Sequence, residues 1–591
     1  MMARDSAFIV PVSLDASPSA RTDVPESFHR VQWTRLPAGE TPSAFVERVR
    51  RLLSSEPSTG NRRSASQLSG AAPAISPPPR VPSRLKTALL AAAVAVVAVA
   101  SGYLALDRLV LSKRPGEVSR APTSVAQTAA PSTAVFNPPA HSIAVLPFVN
   151  LSGDKEQEYF SDGLTEELLN ALAAIDGLQV AARTSSFSFR EHPDIVTVAH
   201  KLNVGAVLEG SVRRSARTVR VTAQLINAVT GFHLWSKTYD RDLGDVLKLQ
   251  TDIANAVASA LKVTLLGDVA AKIEVGGTHN PAAFDAYLRA AKALDAPTGQ
   301  DLQNAIAAFG EAIRLDPNYA LAIAGRSVAL EYYAREFATA AALRETFEKV
   351  RVDAQQAITL APDLAEGHLA LADYFRDGAL DFARANEEYE RALALAPGNA
   401  RVQREYSRLA VDIGQAQAAL TAARRAVVLD PLNGRVHRTL GLVLFYARRY
   451  EEAIAAFQDV LALNPDDTGS YGYRGIAYYV LGDLQTARAA CESKSNYWGQ
   501  LCLAIVYDKL ARHPEAEAQL AKARASLGDA AAYQYAWIYA QWGNKPRAIE
   551  WLETALRLRD PGLQDLRVDL LLDPLRKEPR FQAIERTLKF P

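Results

Sequence analysis

Five arginines recur at a spacing that suits the capture of carboxylates. Over residues 401–413 a helix would gather Val402, Tyr406, Leu409, Ala410 and Ile413 into an apolar stripe and leave Arg401, Arg404 and Arg408 together on another face. Thirty-four residues later the stripe returns as Val436, Leu440, Leu444 and Ala447, and Arg401 and Arg404 return as Arg435 and Arg438. Paired guanidinium groups hold carboxylates through parallel hydrogen bonds. The row therefore reads as a partner-binding face for an acidic or carboxylate-bearing peptide. The competing reading is a solvated row balanced by neighbours such as Glu405 and Asp412.

Other reactive chemistry is sparse. Nine histidines are scattered from His29 to His513, with no HExxH pair, GxSxG elbow or GxxxxGK[ST] loop. The sequence thus offers no catalytic residue, no cofactor-binding loop and no metal-ligand cluster, and the expected class is a binding protein, not an enzyme. Cys491 and Cys502 are the only cysteines. They fall on consecutive expected helices and could form a disulfide, two buried free thiols being the commoner outcome. A net charge of +1 over 591 residues removes bulk electrostatics as a reason to expect nucleic acid. No helix-turn-helix precedes the long apolar segment described below, which counts against a membrane-bound transcription factor.

The arginines must be positioned by helices, and the prolines mark where those helices stop. Pro362, Pro397, Pro431 and Pro465 follow one another at intervals of 35, 34 and 34 residues, with Pro317 before them, each closing a phrase such as YEEAIAAFQDVLALNP. Small residues recur where helices must approach (Ala305, Ala385, Ala419, Ala453), with Phe309, Tyr389 and Phe457 beside them. Leu440, Gly441 and Leu444, then Gly475 and Tyr478, complete a pattern that resembles the tetratricopeptide repeat. That resemblance covers roughly 281–591 and implies an all-α superhelix whose first helices line a groove for other proteins. The interval from Pro317 to Pro362 is longer, as by a helical insertion near Glu336 to Arg351, and DPLRKEPRFQAI resembles a closing segment.

Upstream, Ser142 to Val149 reads as a strand covered on both faces, Phe160 to Ile175 as a helix, and Ala206–Val212 with Thr218–Ile226 as a hairpin. Phe232–Tyr239 reads as a further strand and Val246–Leu265 as a helix. The strings IAVLPFVNLSGDKEQEYFSDGLTEELLNAL, LQVAARTSSFSF, VGAVLEGSV and HLWSKTYDR resemble the TolB-amino-terminal-like domain, which implies an α/β interaction or sensing module over 141–266. Asp162, Glu166 and Glu167 read as structural carboxylates near a helix start.

Thr87 to Leu106 is twenty residues without a charge, about 30 Å as a helix, and reads as a transmembrane signal-anchor between linkers 54–86 and 107–140. Flanking charges are balanced, so they do not orient it. Ala91 with Ala95 and Ala98 with Gly102 could support self-association. At the amino terminus, FIVPVSLD and VPESFHRVQWTRLPAGETPSAFVERVRRLL resemble the last third of a Toll/interleukin-receptor domain. That family is doubly wound, and some members cleave NAD with a glutamate that has no counterpart in residues 1–53, so the activity is not carried over.

The expected architecture is multidomain: one N-proximal transmembrane helix, a TolB-like α/β domain, then a tetratricopeptide superhelix. The expected function is a membrane-anchored scaffold or signalling adaptor that contacts proteins through its groove and the bilayer through 87–106. The alternative is a Toll/interleukin-receptor-type NAD hydrolase or signalling receptor whose N-terminal catalytic part is missing from this chain. The chain is expected to fractionate with the bacterial inner membrane, amino terminus cytoplasmic and everything after Lys113 periplasmic. Reporter fusions at Ala140 test the orientation, and activity only of a cytoplasmic reporter would reverse it.

Overall fold

The computed structural model describes residues 12–13, 34–35 and 136–591, the last apart from 192–193, 216, 243–244, 264–268, 295–297, 338–339 and 495. The chain divides into two compact units, 1–128 and 129–591. In the first, Val12–Ser13 (β1) pairs in parallel with Thr34–Arg35 (β2). The rest of residues 1–53, the two linkers up to residue 135 and the Thr87–Leu106 span lie outside the described residues. Among the described residues no helix is long and apolar enough to cross a membrane.

The second unit begins with a sheet domain. Ser142–Val145 (β3) is buried throughout, as a strand covered on both faces must be. Pro147 has no N–H to give the ladder, and pairing resumes only at Val149–Asn150 (β4). Gln179–Val180 (β5), Ala206–Arg214 (β6), Thr218–Asn227 (β7) and His233–Asp242 (β8) complete the order β5-β3-β6-β7-β8, with β4 also on β6. β3 is parallel to β5 and β6, while β6–β7 and β7–β8 are antiparallel. Alternate residues Val219, Val221, Ala223 and Leu225 of β7 are buried. They pack with Leu164, Leu168 and Leu172 of helix Glu158–Ala173 (α1) and Leu249, Ile253 and Val257 of helix Val246–Ala260. The opposite face of β3 and β6 is covered through Val198 and Leu202 of helix Ile195–Leu202.

One expectation is corrected here. Because α1 starts at Glu158, Asp162, Glu166 and Glu167 sit in its second and third turns, past the reach of the helix-end field. Their role is set by partners across the domain boundary, described below.

From Pro281 to Leu558 the described residues form eight successive helix pairs. The long interval is accounted for by Ala320–Phe337 and Ala340–Leu360, the second 21 residues long. Helix starts are fixed by asparagine: Asn399 caps Ala400–Asp412 through the N–H groups of Arg401 and Val402, and Asn433 caps Gly434–Tyr446 through that of Arg435. Each cap is worth about 1 kcal/mol. Pairing distance is set by size: a Cβ on Gly441 would stand 2.6 Å from the Phe457 ring, and one on Gly325 2.6 Å from the Phe309 ring. Cys491 and Cys502 are joined as a disulfide, the less common of the two outcomes the sequence left open; consecutive helices carry their Cα atoms to 6.0 Å, within bridging range.

The closing segment does more than cap the last repeat. Turns Pro561–Asp565 and Leu570–Leu575 and helix Pro579–Thr587 bury Leu563, Leu566, Leu572, Leu575, Phe581 and Leu588 completely. The chain then folds back so that Phe590 stacks on Phe382 at 4.7 Å and Lys589 bonds Asp381 at 3.1 Å. Gly441→Ala is expected to lower unfolding stability by about 1–3 kcal/mol through overpacking against Phe457, measured by chemical denaturation. An unchanged midpoint would show that the ring yields freely.

Candidate functional site

The sheet domain and the repeats meet along a polar seam. The backbone N–H of Ala182 donates to the Leu429 carbonyl at 2.7 Å. Ser185 donates to Asp430 from its N–H at 3.0 Å and its hydroxyl at 2.6 Å, while the Leu432 N–H donates to that hydroxyl at 2.9 Å. On the other side helix Pro281–Ala293 lies against α1: Arg214 pairs with Asp285 at 2.6 Å, and Lys292 with Asp162 at 3.0 Å. Asp162 also receives Arg190 through both oxygens, at 2.8 and 3.0 Å. Glu166 pairs with Arg183 at 2.9 Å, and Tyr287 donates to Glu167 at 3.3 Å. Asp162, Glu166 and Glu167 of α1 are therefore joints within the domain and across the seam.

Between these contacts lies a cavity of about 1300 Å³. Its wall is part sheet domain (Glu166, Leu169, Val180, Arg183, Phe187) and part repeats (Tyr287, Phe309, Tyr332, Leu432, Val436). Four of the arginines singled out in the sequence, Arg401, Arg404, Arg435 and Arg438, line it, together with Arg335. The capped starts of their helices, Asn399–Ala400 and Asn433–Gly434, line it too, so the positive ends of two helix dipoles face the same space.

The arginines are not equivalent. Arg401 lies over the Tyr332 ring at 5.6 Å and pairs with Asp373 at 3.3 Å; Arg404 pairs with Glu405. Behind them Arg376, 5% exposed, is held by Glu405 and Asp377 at 2.9 Å each and Asp373 at 3.4 Å. Burial works against the Glu405 carboxylate, but Arg404, Arg376 and Arg401 hold its pKa well below the usual range. Glu331, beside Arg335 at 3.2 Å, is pushed up to about 8 by burial in spite of that arginine. Arg438 has only Asp467 at 3.6 Å, and Arg435, exposed, makes no ion pair with a described residue. Arg408 is not in the cavity. It points into the repeats, pairing with Asp412 at 2.8 Å and with Asp565 of the closing segment, which also accepts from Tyr446 at 2.8 Å.

The sequence placed Arg401, Arg404, Arg435 and Arg438 in one row but gave no sign of Arg335, Arg183 and the seam residues, whose partners are distant in the chain. Tyr332 under Arg401 was equally illegible, since tyrosines at repeat spacing read as core. Among the described residues no cluster of three His, Cys, Asp or Glu is arranged for a metal ion.

Comparison with known proteins gives three family matches. Residues 438–496 and 530–560 match tetratricopeptide repeat families. Residues 139–256, read in the sequence as TolB-amino-terminal-like, match the second domain of HilA/YgeH-like transcriptional regulators. A "Putative adenylate cyclase 3" of Rhizobium meliloti (strain 1021) is 35% identical over 280 residues, 47% of this chain and 46% of that protein. "Small glutamine-rich tetratricopeptide repeat-containing protein 2" of Mycosarcoma maydis is 31% identical over 103 residues, 17% of this chain and 28% of that protein. The chain thus spans about half the length of the first relative and less of the second. A tetratricopeptide repeat protein from Parabacteroides merdae ATCC 43184 aligns over 45% of this chain and 99% of its own, with 14% identity and a TM-score of 0.34. The chain carries tetratricopeptide repeats, on the family matches together with the helix pairs.

Burial, then the neighbouring Glu166, pushes Glu167 up to about 8 from 4.5. Between those values the folded chain keeps a proton that the unfolded chain releases, so stability present at low pH is lost as pH rises through about 8. Glu167→Gln is expected to flatten that slope and to melt higher than the parent above pH 8. Glu331, raised to about 8, and Asp569, raised to about 7 by burial, leave a residual slope. Thermal melts across this range decide; parallel curves for parent and variant would show that Glu167 does not titrate at the seam.

Proposed function

We propose that the chain is a membrane-anchored protein-interaction scaffold whose repeats and sheet domain form one recognition body, with the arginine-lined cavity as the place where an acidic segment of a partner docks. The repeats support the interaction role. The observation that carries the finer reading is internal: Arg408, a turn along the same helix from Arg404, already grips Asp565 of the chain's own closing segment. That pair supports an acidic partner for the row. Arg401 and Arg404 are committed to Asp373 and Glu405 and shape the wall, while Arg435 and Arg438 are free to exchange weak contacts for a partner's carboxylates.

Because the closing segment occupies the repeats around Arg408 and the sheet domain roofs the other side, the fitting partner is a short acidic turn and not a long helix laid along an open groove. The Thr87–Leu106 segment supports the anchor, and the amino terminus and TolB-like resemblance support a cytoplasmic start and periplasmic repeats in a signalling or envelope assembly.

A second reading draws on the Rhizobium relative, whose name is that of a putative adenylate cyclase: this chain acts as the sensing portion of a nucleotide cyclase assembly. Cyclase activity of the purified chain would count against both readings.

Arg435→Glu with Arg438→Glu is expected to leave helicity intact and to weaken capture of acidic partners from a membrane extract by tenfold or more, since hydrogen bonds to charged groups are worth about 1.5–3 kcal/mol each. Circular dichroism with quantitative pull-down reads both. Unchanged helicity with unchanged partners would remove the cavity from the proposal.

A further inference from the structure

One end of the sheet carries an apolar tip that nothing in the described chain covers. Because β3, β6 and β8 run in the same sense and β7 against them, the starts of β3, β6 and β8 and the end of β7 lie together. Here the turn after β7 closes through Gly231 N–H to the Asn227 carbonyl at 2.8 Å, and Ala228 N–H bonds the Gly205 carbonyl at 2.9 Å. The turn is fixed, yet Phe232 is 75% exposed, Val229 52% and Leu234 44%. Single exposed apolar residues are ordinary; three within six positions at a fixed tip form a patch. Two lysines at the same end, Lys201 and Lys262, are exposed, and His141, bonded to the Leu261 carbonyl at 3.0 Å, lies beside Lys262. The acidic Asp176 there is already paired with Lys272 at 2.8 Å.

The same end is where the upstream chain enters. Phe136 stacks on His200 at 4.0 Å, and Pro138 and Pro139 lie 3.6 Å from the Cβ position of Gly205, the residue bonded to the tip. Residues 107–135 separate that entry from the uncharged Thr87–Leu106 segment. A tether of these 29 residues keeps the tip at high effective concentration near the anchoring surface, so a weak contact suffices.

We infer that this end of the sheet rests on the lipid bilayer, with Val229, Phe232 and Leu234 entering the headgroup–acyl boundary and Lys201 and Lys262 facing anionic headgroups. Apolar side chains flanked by lysines suit such an interface. The inference rests on the anchor reading above.

The native cysteines are joined to each other, so Phe232→Cys supplies a single reactive thiol in the full chain. It is labelled with an environment-sensitive fluorophore and reconstituted into vesicles of phosphatidylcholine and phosphatidylglycerol containing headgroup-proximal doxyl lipid. Ser215→Cys, on the exposed turn at the opposite end of the sheet, serves as control. The expected result is a blue-shifted label at 232, quenched at least twofold more than at 215, with the difference reduced in phosphatidylcholine alone. Equal quenching at both positions in chains that integrate overturns the inference and leaves the anchor standing. Failure to integrate overturns both. A concentration-dependent blue shift at 232 in lipid-free detergent, without lipid quenching, overturns it in favour of a second copy covering the tip.

Discussion

A guanidinium group taken out of water must be matched by carboxylates, and the interior of the repeat array is organised around that requirement. Arg376, almost wholly buried, holds Glu405, Asp377 and Asp373, and Arg401 and Arg404 share two of those acids. Removing one partner from such a set leaves an uncompensated buried charge, which costs about 3–5 kcal/mol. The set therefore ties together the helices that carry it, Ala365–Asp373 and the turn after it with Ala400–Asp412. It also divides the arginine row into members that build the wall and members, Arg435 and Arg438, that face open space.

The same requirement explains why the concave side is not an open channel. Arg408 and Tyr446 both reach Asp565, and Tyr533 donates to Asp569 at 2.9 Å. These bonds seat a closing segment whose leucines supply most of its burial. With the carboxyl end of the groove filled by the chain itself and the other side roofed by α1 and Arg183–Phe187, what remains is a partly open cavity with two distinct walls. Tyr287 and Asp430, which line that space, also bond Glu167 and Ser185 across the seam.

Two ends of the sheet domain then carry different chemistry. One face meets the repeats through ion pairs and hydrogen bonds, which suit a boundary fixed in geometry. The end beside residue 136 presents Phe232 and exposed cations, which suit a surface without fixed geometry.

By itself the sequence determined what repeats locally. Helix stops came from proline, helix pairing from small residues opposite Phe309 and Phe457, the β6–β7 hairpin from alternation, and the arginine row from a 34-residue return, because each depends on neighbours within one or two turns. The tertiary structure decided what those elements meet. Asp565 reaches Arg408 from 157 residues away, Ser185 reaches Asp430 from 245, and neither pairing leaves a periodic trace. That Cys491 and Cys502 are bonded, that Glu167 is a seam residue and not a helix-end carboxylate, and that Arg435 and Arg438 are held more loosely than the rest of the row follow from distance and burial, which composition and spacing do not encode.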